Sequence, residues 1–156
     1  MADSPLEILI VDDTPMNLVV LEHMLKRGDL KIYTARDGQE AIELVREHDF
    51  ALILLDVQMP GLNGYDTARS IKELPRGAGV PIIFVTSIFQ DAENVLRGYE
   101  VGAVDYLFRP VDAQMLRCKV NVFIDLHRQK TMLESEIAHR RRTEEALRRA
   151  EEKFRA

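Results

Sequence analysis

Two adjacent acids, Asp12 and Asp13, close the apolar run in ILIVDDTP, and a third, Asp56, closes ALILL. A hydroxyl, Thr86, ends PIIFVT, and a cation, Arg109, follows DYLF. Neighbouring carboxylates repel, and each one drawn toward an interior loses hydration that a cation or hydrogen-bond donors must replace. Hard oxygen ligands grouped in this way favour Mg²⁺, which accepts few carboxylates and keeps waters that a phosphate or substrate oxygen can displace. The acids are therefore expected to share a divalent cation, with Thr86 and Arg109 beside it.

That grouping requires the five apolar runs to be strands whose ends meet. The runs EILIV (7–11), KIYTA (31–35), ALILL (51–55) and PIIFVT (81–86), with the shorter DYLF (105–108), are rich in β-branched residues. Three are nearly continuous in apolar residues, as strands covered on both faces are. Helical spacing fills the intervals. A first helix is predicted over Pro15–Arg27, with Thr14 or Asp13 as its cap, Leu18, Leu21, Met24 and Leu25 on one face, and Gly28 past its end. Others are predicted over about Gln39–His48, Gly64–Leu74 and Ala92–Val101, the last two closed by Pro75 and Gly102. Strand–helix alternation with right-handed crossovers predicts an α/β doubly wound parallel sheet, whose site lies at the carboxyl ends of the strands.

Composition narrows the class. The chain has 156 residues, 46% hydrophobic and 30% charged, which suits one globular core with an appended segment. A single cysteine, Cys118, permits no intramolecular disulfide and suits a reducing, cytoplasmic setting. No apolar run approaches the roughly 18–20 residues needed to cross a bilayer, and MADSPLEILI lacks the marks of a signal peptide. The net charge of −5 is uneven: residues 1–125 carry 12 basic and 20 acidic groups, residues 126–156 carry 9 and 6.

At the strand ends the sequence resembles the receiver domain of two-component response regulators (CheY-like). The motifs are ILIVDD, LLDVQMPGLNG with the D-x-x-M-P-x-x-x-G pattern from Asp56 to Gly64, FVTS and DYLFRP. The resemblance spans about residues 6–125 and implies a flavodoxin-like strand order 2-1-3-4-5. It implies Asp56 as the phosphoacceptor, served by Thr86 and Arg109. Asp13, Asp56 and the backbone carbonyl of Gln58 would be the Mg²⁺ ligands, with Asp12 holding the ion largely through water. A histidine kinase or phosphotransfer protein would be the donor. Thr86 and Tyr106 resemble the family's switch pair: the hydroxyl moves to the phosphoryl group and the ring turns into the vacated space. Arg109 stands where the family usually has lysine, keeping the charge but replacing a compact ammonium with a planar fork. Pro110 resembles the family's cis-peptide position.

From Asp112 onward there is no Gly or Pro, and Ala113–Arg155 predicts one helix about 65 Å long at about 1.5 Å per residue. Only its first third can pack on the domain, so the expected organisation is a receiver over 1–125 and a coiled-coil linker over 126–156, leading to a missing effector or sensor module. Leu126, Leu133, Leu147 and Phe154 recur in sevens with Arg140 interrupting. Phe123 and Ile137 share the companion position with Lys130, Glu144 and Glu151, a frayed seam that predicts a register change or a weak, adjustable homodimer.

The leading expectation is a signalling switch rather than a turnover enzyme, with no membrane span and no direct nucleic-acid contact. A phosphorylation-independent pseudo-receiver, suggested by Arg109, is the rival. A Mg²⁺-dependent phosphohydrolase is disfavoured because VDDTP does not supply D-x-D-x-T, and a dinucleotide-binding fold because no G-x-G-x-x-G follows the first strand. The four histidines have no metal-ligand spacing, and the arginines at 140–142 alternate with acids as a solvated face does.

Overall fold

The structure is a computed structural model and describes residues 5–86 and 103–155. The helix expected over Ala92–Val101 lies outside these. Strands β1 (Leu6–Val11), β2 (Leu30–Ala35), β3 (Phe50–Asp56), β4 (Ile82–Thr86) and β5 (Ala103–Phe108) form one sheet in the order β2-β1-β3-β4-β5, every pair parallel. Helices α1 (Pro15–Leu25), α2 (Gly38–Glu47) and α3 (Gly64–Glu73) follow the first three strands, and α4 (Ala113–Arg155) closes the chain.

Alternation along the strands divides the core. Leu9, Val11, Ile53, Leu55, Ile82, Phe84 and Tyr106 share a cluster with Ala41, Ile42 and Val45 of α2 and Tyr65, Ala68 and Ile71 of α3. Residues of opposite parity, such as Ile8, Ile10, Leu52, Leu54 and Ile83, point to the other face, and they are fully buried too. Leu18, Leu21 and Leu25 of α1 and Leu116 and Val120 of α4 are likewise buried. Central β3 is therefore buried at all seven positions, which explains why FALILLD shows no polar alternation.

The helix boundaries follow their caps. Asp37 and Asn63 accept from the backbone N–H of Glu40 and Asp66, so α2 and α3 begin with satisfied donors. Helix α1 ends at Leu25 rather than Arg27, because Lys26 is already extended. Gly28 is therefore not its cap. The Arg27 guanidinium instead binds Asp29 and Asn121, while Arg117 donates from Nε to the Met24 carbonyl at 2.9 Å, occupying an end-of-helix acceptor. No described helix is long and apolar enough to cross a membrane. The chain separates into two units, residues 1–123 and 124–156.

Candidate functional site

Strand register brings the acids together. Val11 pairs with Leu55 across β1 and β3, so the residues that follow, Asp12 just after β1 and Asp56 at the end of β3, emerge side by side. Asp13 follows as the chain turns into α1. Oxygens of Asp12, Asp13 and Asp56 can all lie within 4.8 Å of one another. Asp12 is fully buried and Asp56 is 4% exposed, while Asp13 is half-buried.

These charges are compensated unequally. The backbone N–H of Thr14 donates to Asp12 Oδ1 at 2.9 Å, and Asn17 Nδ2 reaches the same oxygen at 3.4 Å. The Arg109 guanidinium donates to Asp12 Oδ2, and its other terminal nitrogen lies 3.6 Å from Asp56 Oδ1. Part of the compensation that the sequence assigned to a metal ion thus comes from the protein itself. Asp56 receives less: the Gln58 backbone N–H donates to its Oδ1 at 3.1 Å. Burial, then the Asp12 charge, push its carboxyl up to about 6. The Gln58 hydrogen bond and Arg109 oppose this, and Asp13 adds a smaller push upward.

The donor set fits a hard divalent cation. Both Asp12 oxygens already accept hydrogen bonds, whereas Asp13 and the under-compensated Asp56 retain carboxylate capacity. The β3–α3 turn is shaped to leave that space. Gly61 sits at φ +76°, a conformation that disfavours a side chain. Gly64 lets α3 abut the strand end: a Cβ there would lie 2.3 Å from the Asp56 carbonyl oxygen.

Thr86 is fully buried at the end of β4, and its carbonyl accepts from the Arg109 backbone N–H at 2.8 Å. The Arg109–Pro110 peptide is cis, as the resemblance implied. Tyr106 is turned inward and 6% exposed, its hydroxyl 3.2 Å from that of Tyr65 and its ring 5.5 Å from Phe84. The structure thus brings Asp12, Asp13, Asp56, Gln58 and Arg109 into one cluster, and places Thr86 at the end of β4 and Tyr106 in β5. Sequence reasoning missed Asn17 and Tyr65. The first was visible in principle, standing five residues after Asp12 in the first turn of α1. The second depends on a meeting across 41 residues that no local pattern carries.

A model of the response regulator receiver domain matches residues 8–121. Over 126 residues the chain is 36% identical to a Vibrio cholerae protein named "Probable cyclic di-GMP phosphodiesterase", covering 81% of this chain and 28% of that one. Protein PilH of Pseudomonas aeruginosa is 34% identical over 117 residues, covering 75% of this chain and 96% of PilH. The chain also spans only 25% of the Caulobacter vibrioides response regulator PleD. Among solved structures, the receiver domain of the sensor histidine kinase PA1611 from Pseudomonas aeruginosa PAO1 superposes with a TM-score of 0.71 at 30% identity. That match covers 78% of this chain and 99% of the receiver, which carries a magnesium ion coordinated in its active site cleft.

Proposed function

The chain belongs to the response regulator receiver domain family of two-component signalling, and from that premise we propose that Asp56 accepts a phosphoryl group from a phosphohistidine on a kinase or phosphotransfer protein. The observation that carries the reading is the convergence of Asp12, Asp13 and Asp56 at the ends of adjacent strands, with Arg109 reaching two of them. In the reaction an Asp56 oxygen attacks phosphorus as the phosphorus–nitrogen bond to the donor breaks.

Asp13, Asp56 and the Gln58 carbonyl would hold Mg²⁺, with Asp12 acting through water. When bound, the ion supplies positive charge against the phosphoryl oxygens. The chain's own groups do the rest. The Gln58 N–H orients the Asp56 carboxylate, and Arg109 offers a second positive group at the same oxygen. Thr86 and Tyr106 are the switch pair, the hydroxyl donating to a phosphoryl oxygen and the ring following it. The receiver spans residues 1–125, and residues 126–156 form a linker that joins two copies and passes the change to an output module.

Acetyl phosphate with Mg²⁺ tests the reading by intact mass. The wild-type chain should gain one acid-stable phosphoryl group and the Asp56→Asn variant none. A wild-type chain that gains nothing would overturn the reading in favour of the rival, a phosphorylation-independent interaction module.

A further inference from the structure

Residues 126–154 of α4 carry an apolar seam that is exposed. Leu126, Leu133, Leu147 and Phe154 are 53%, 57%, 62% and 91% exposed, and Ile137 is 41% exposed. In heptad terms the first four occupy d and Ile137 occupies a, while Arg140 takes a d position and Glu144 the following a. Exposed apolar side chains at this period need a partner helix, since an isolated helix of this kind is marginal in water.

The layer pattern selects both partner and orientation. An antiparallel pair sets a against d. Only Ile137 is apolar at a in this stretch, so most of the leucines would face Lys130, Glu144 or Glu151. A parallel pair in register sets each of Leu126, Leu133, Ile137, Leu147 and Phe154 against its own copy. It also places Arg140 beside Glu144 of the other copy, and Glu136 at g opposite Arg141 at e. Within its own layer each of Arg140 and Glu144 also faces its own copy, so the complementary contacts run between these two adjacent layers and along the Glu136–Arg141 flank. In the single chain Arg140 instead pairs with Glu136 of its own helix at 3.0 Å and remains 73% exposed, so it is available for exchange.

We infer that residues 126–154 pair in parallel and in register with a second copy of this chain, and that Arg140 and Glu144 form a charged layer that sets the register. The inference rests on the dimer reading above and goes beyond it in naming orientation, register and the residues that decide them. A charged layer costs stability and penalises a slipped pairing, because a shift by one heptad would bury Arg140 against a leucine.

The test uses full chains in the Cys118→Ser background. Arg140→Glu and Glu144→Arg should each weaken self-association by roughly tenfold or more, because each sets like charges against one another. A mixture of the two should form a heterodimer close to wild type in affinity, an effect that altered helicity within one chain cannot produce. A cysteine at Leu147 should crosslink to its own copy under mild oxidation, while one at the outward position Ser135 should not. A mixture that associates no better than its components overturns the charged layer, and a dimer in which Leu147→Cys fails to crosslink overturns the parallel register. A chain that is monomeric at every concentration overturns the dimer itself, leaving Asp56 labelling as a separate question.

Discussion

At the scale of single residues, Asp56 is defined by how little compensates it. Its carboxyl titrates near 6 in the folded chain against 3.8 for the free group, so folding disfavours the charged form. Ionised Asp56 therefore destabilises the metal-free protein fully above pH 6, and the penalty fades as pH falls toward 3.8. Asp56→Asn should raise stability by about 1–3 kcal/mol at pH 7.5 without metal, and the gain should vanish below about pH 4; urea titrations at several pH values measure it. Phosphoryl uptake needs the carboxylate, so its rate should decline as pH drops through 6, and added Mg²⁺ should move that midpoint lower.

Arg109 is the converse case, a cation committed to a buried acid. Arg109→Met leaves Asp12 buried without its counter-charge and should cost about 2–4 kcal/mol, part of which Mg²⁺ should restore, as thermal melts with and without the ion would show. Arg109→Lys keeps the charge but not the fork that reaches both acids, so stability should fall, by less than in Arg109→Met, while the conformational response to phosphorylation should differ from wild type. Amide exchange at Tyr106 reads that response.

At the scale of elements, the β3–α3 junction is where packing and chemistry meet. The N-terminus of α3 lies against the backbone at the end of β3, with the Gly64 N–H donating to the Val57 carbonyl at 3.0 Å. A methyl group at Gly64 would meet main chain, which cannot move aside as a flexible side chain can. Gly64→Ala should therefore lower stability by about 2 kcal/mol or more and slow phosphoryl uptake. Asn63→Ala, one residue earlier, removes only the cap to the Asp66 N–H and should cost about 1 kcal/mol with uptake nearly unchanged. Denaturation and labelling on the two variants separate helix stability from site geometry.

At the scale of the whole molecule, the chain divides into compact units of residues 1–123 and 124–156. A chain ending at Asp125 retains the whole first unit, residues 1–123. It should remain folded, accept phosphate at a rate within about threefold of the full chain, and be monomeric by light scattering at concentrations where the full chain associates.

The fold was legible because a parallel sheet covered on both faces demands apolar strands, and those runs stand out against the amphipathic helices between them. The acids at 12, 13 and 56 were legible jointly: each alone could be a helix cap or a strand end, but together they close two apolar runs, with Thr86 and Arg109 closing two more. Other features depended on three-dimensional proximity. Arg109 acts as the partner of Asp12 from 97 residues away, Asn17 joins them, and Tyr65 meets Tyr106, because strand register and a helix N-terminus set those distances. Residue types show which charges must be answered. Only the folded chain decides which neighbour answers them, since that choice is made by geometry between segments whose local sequences carry no record of each other.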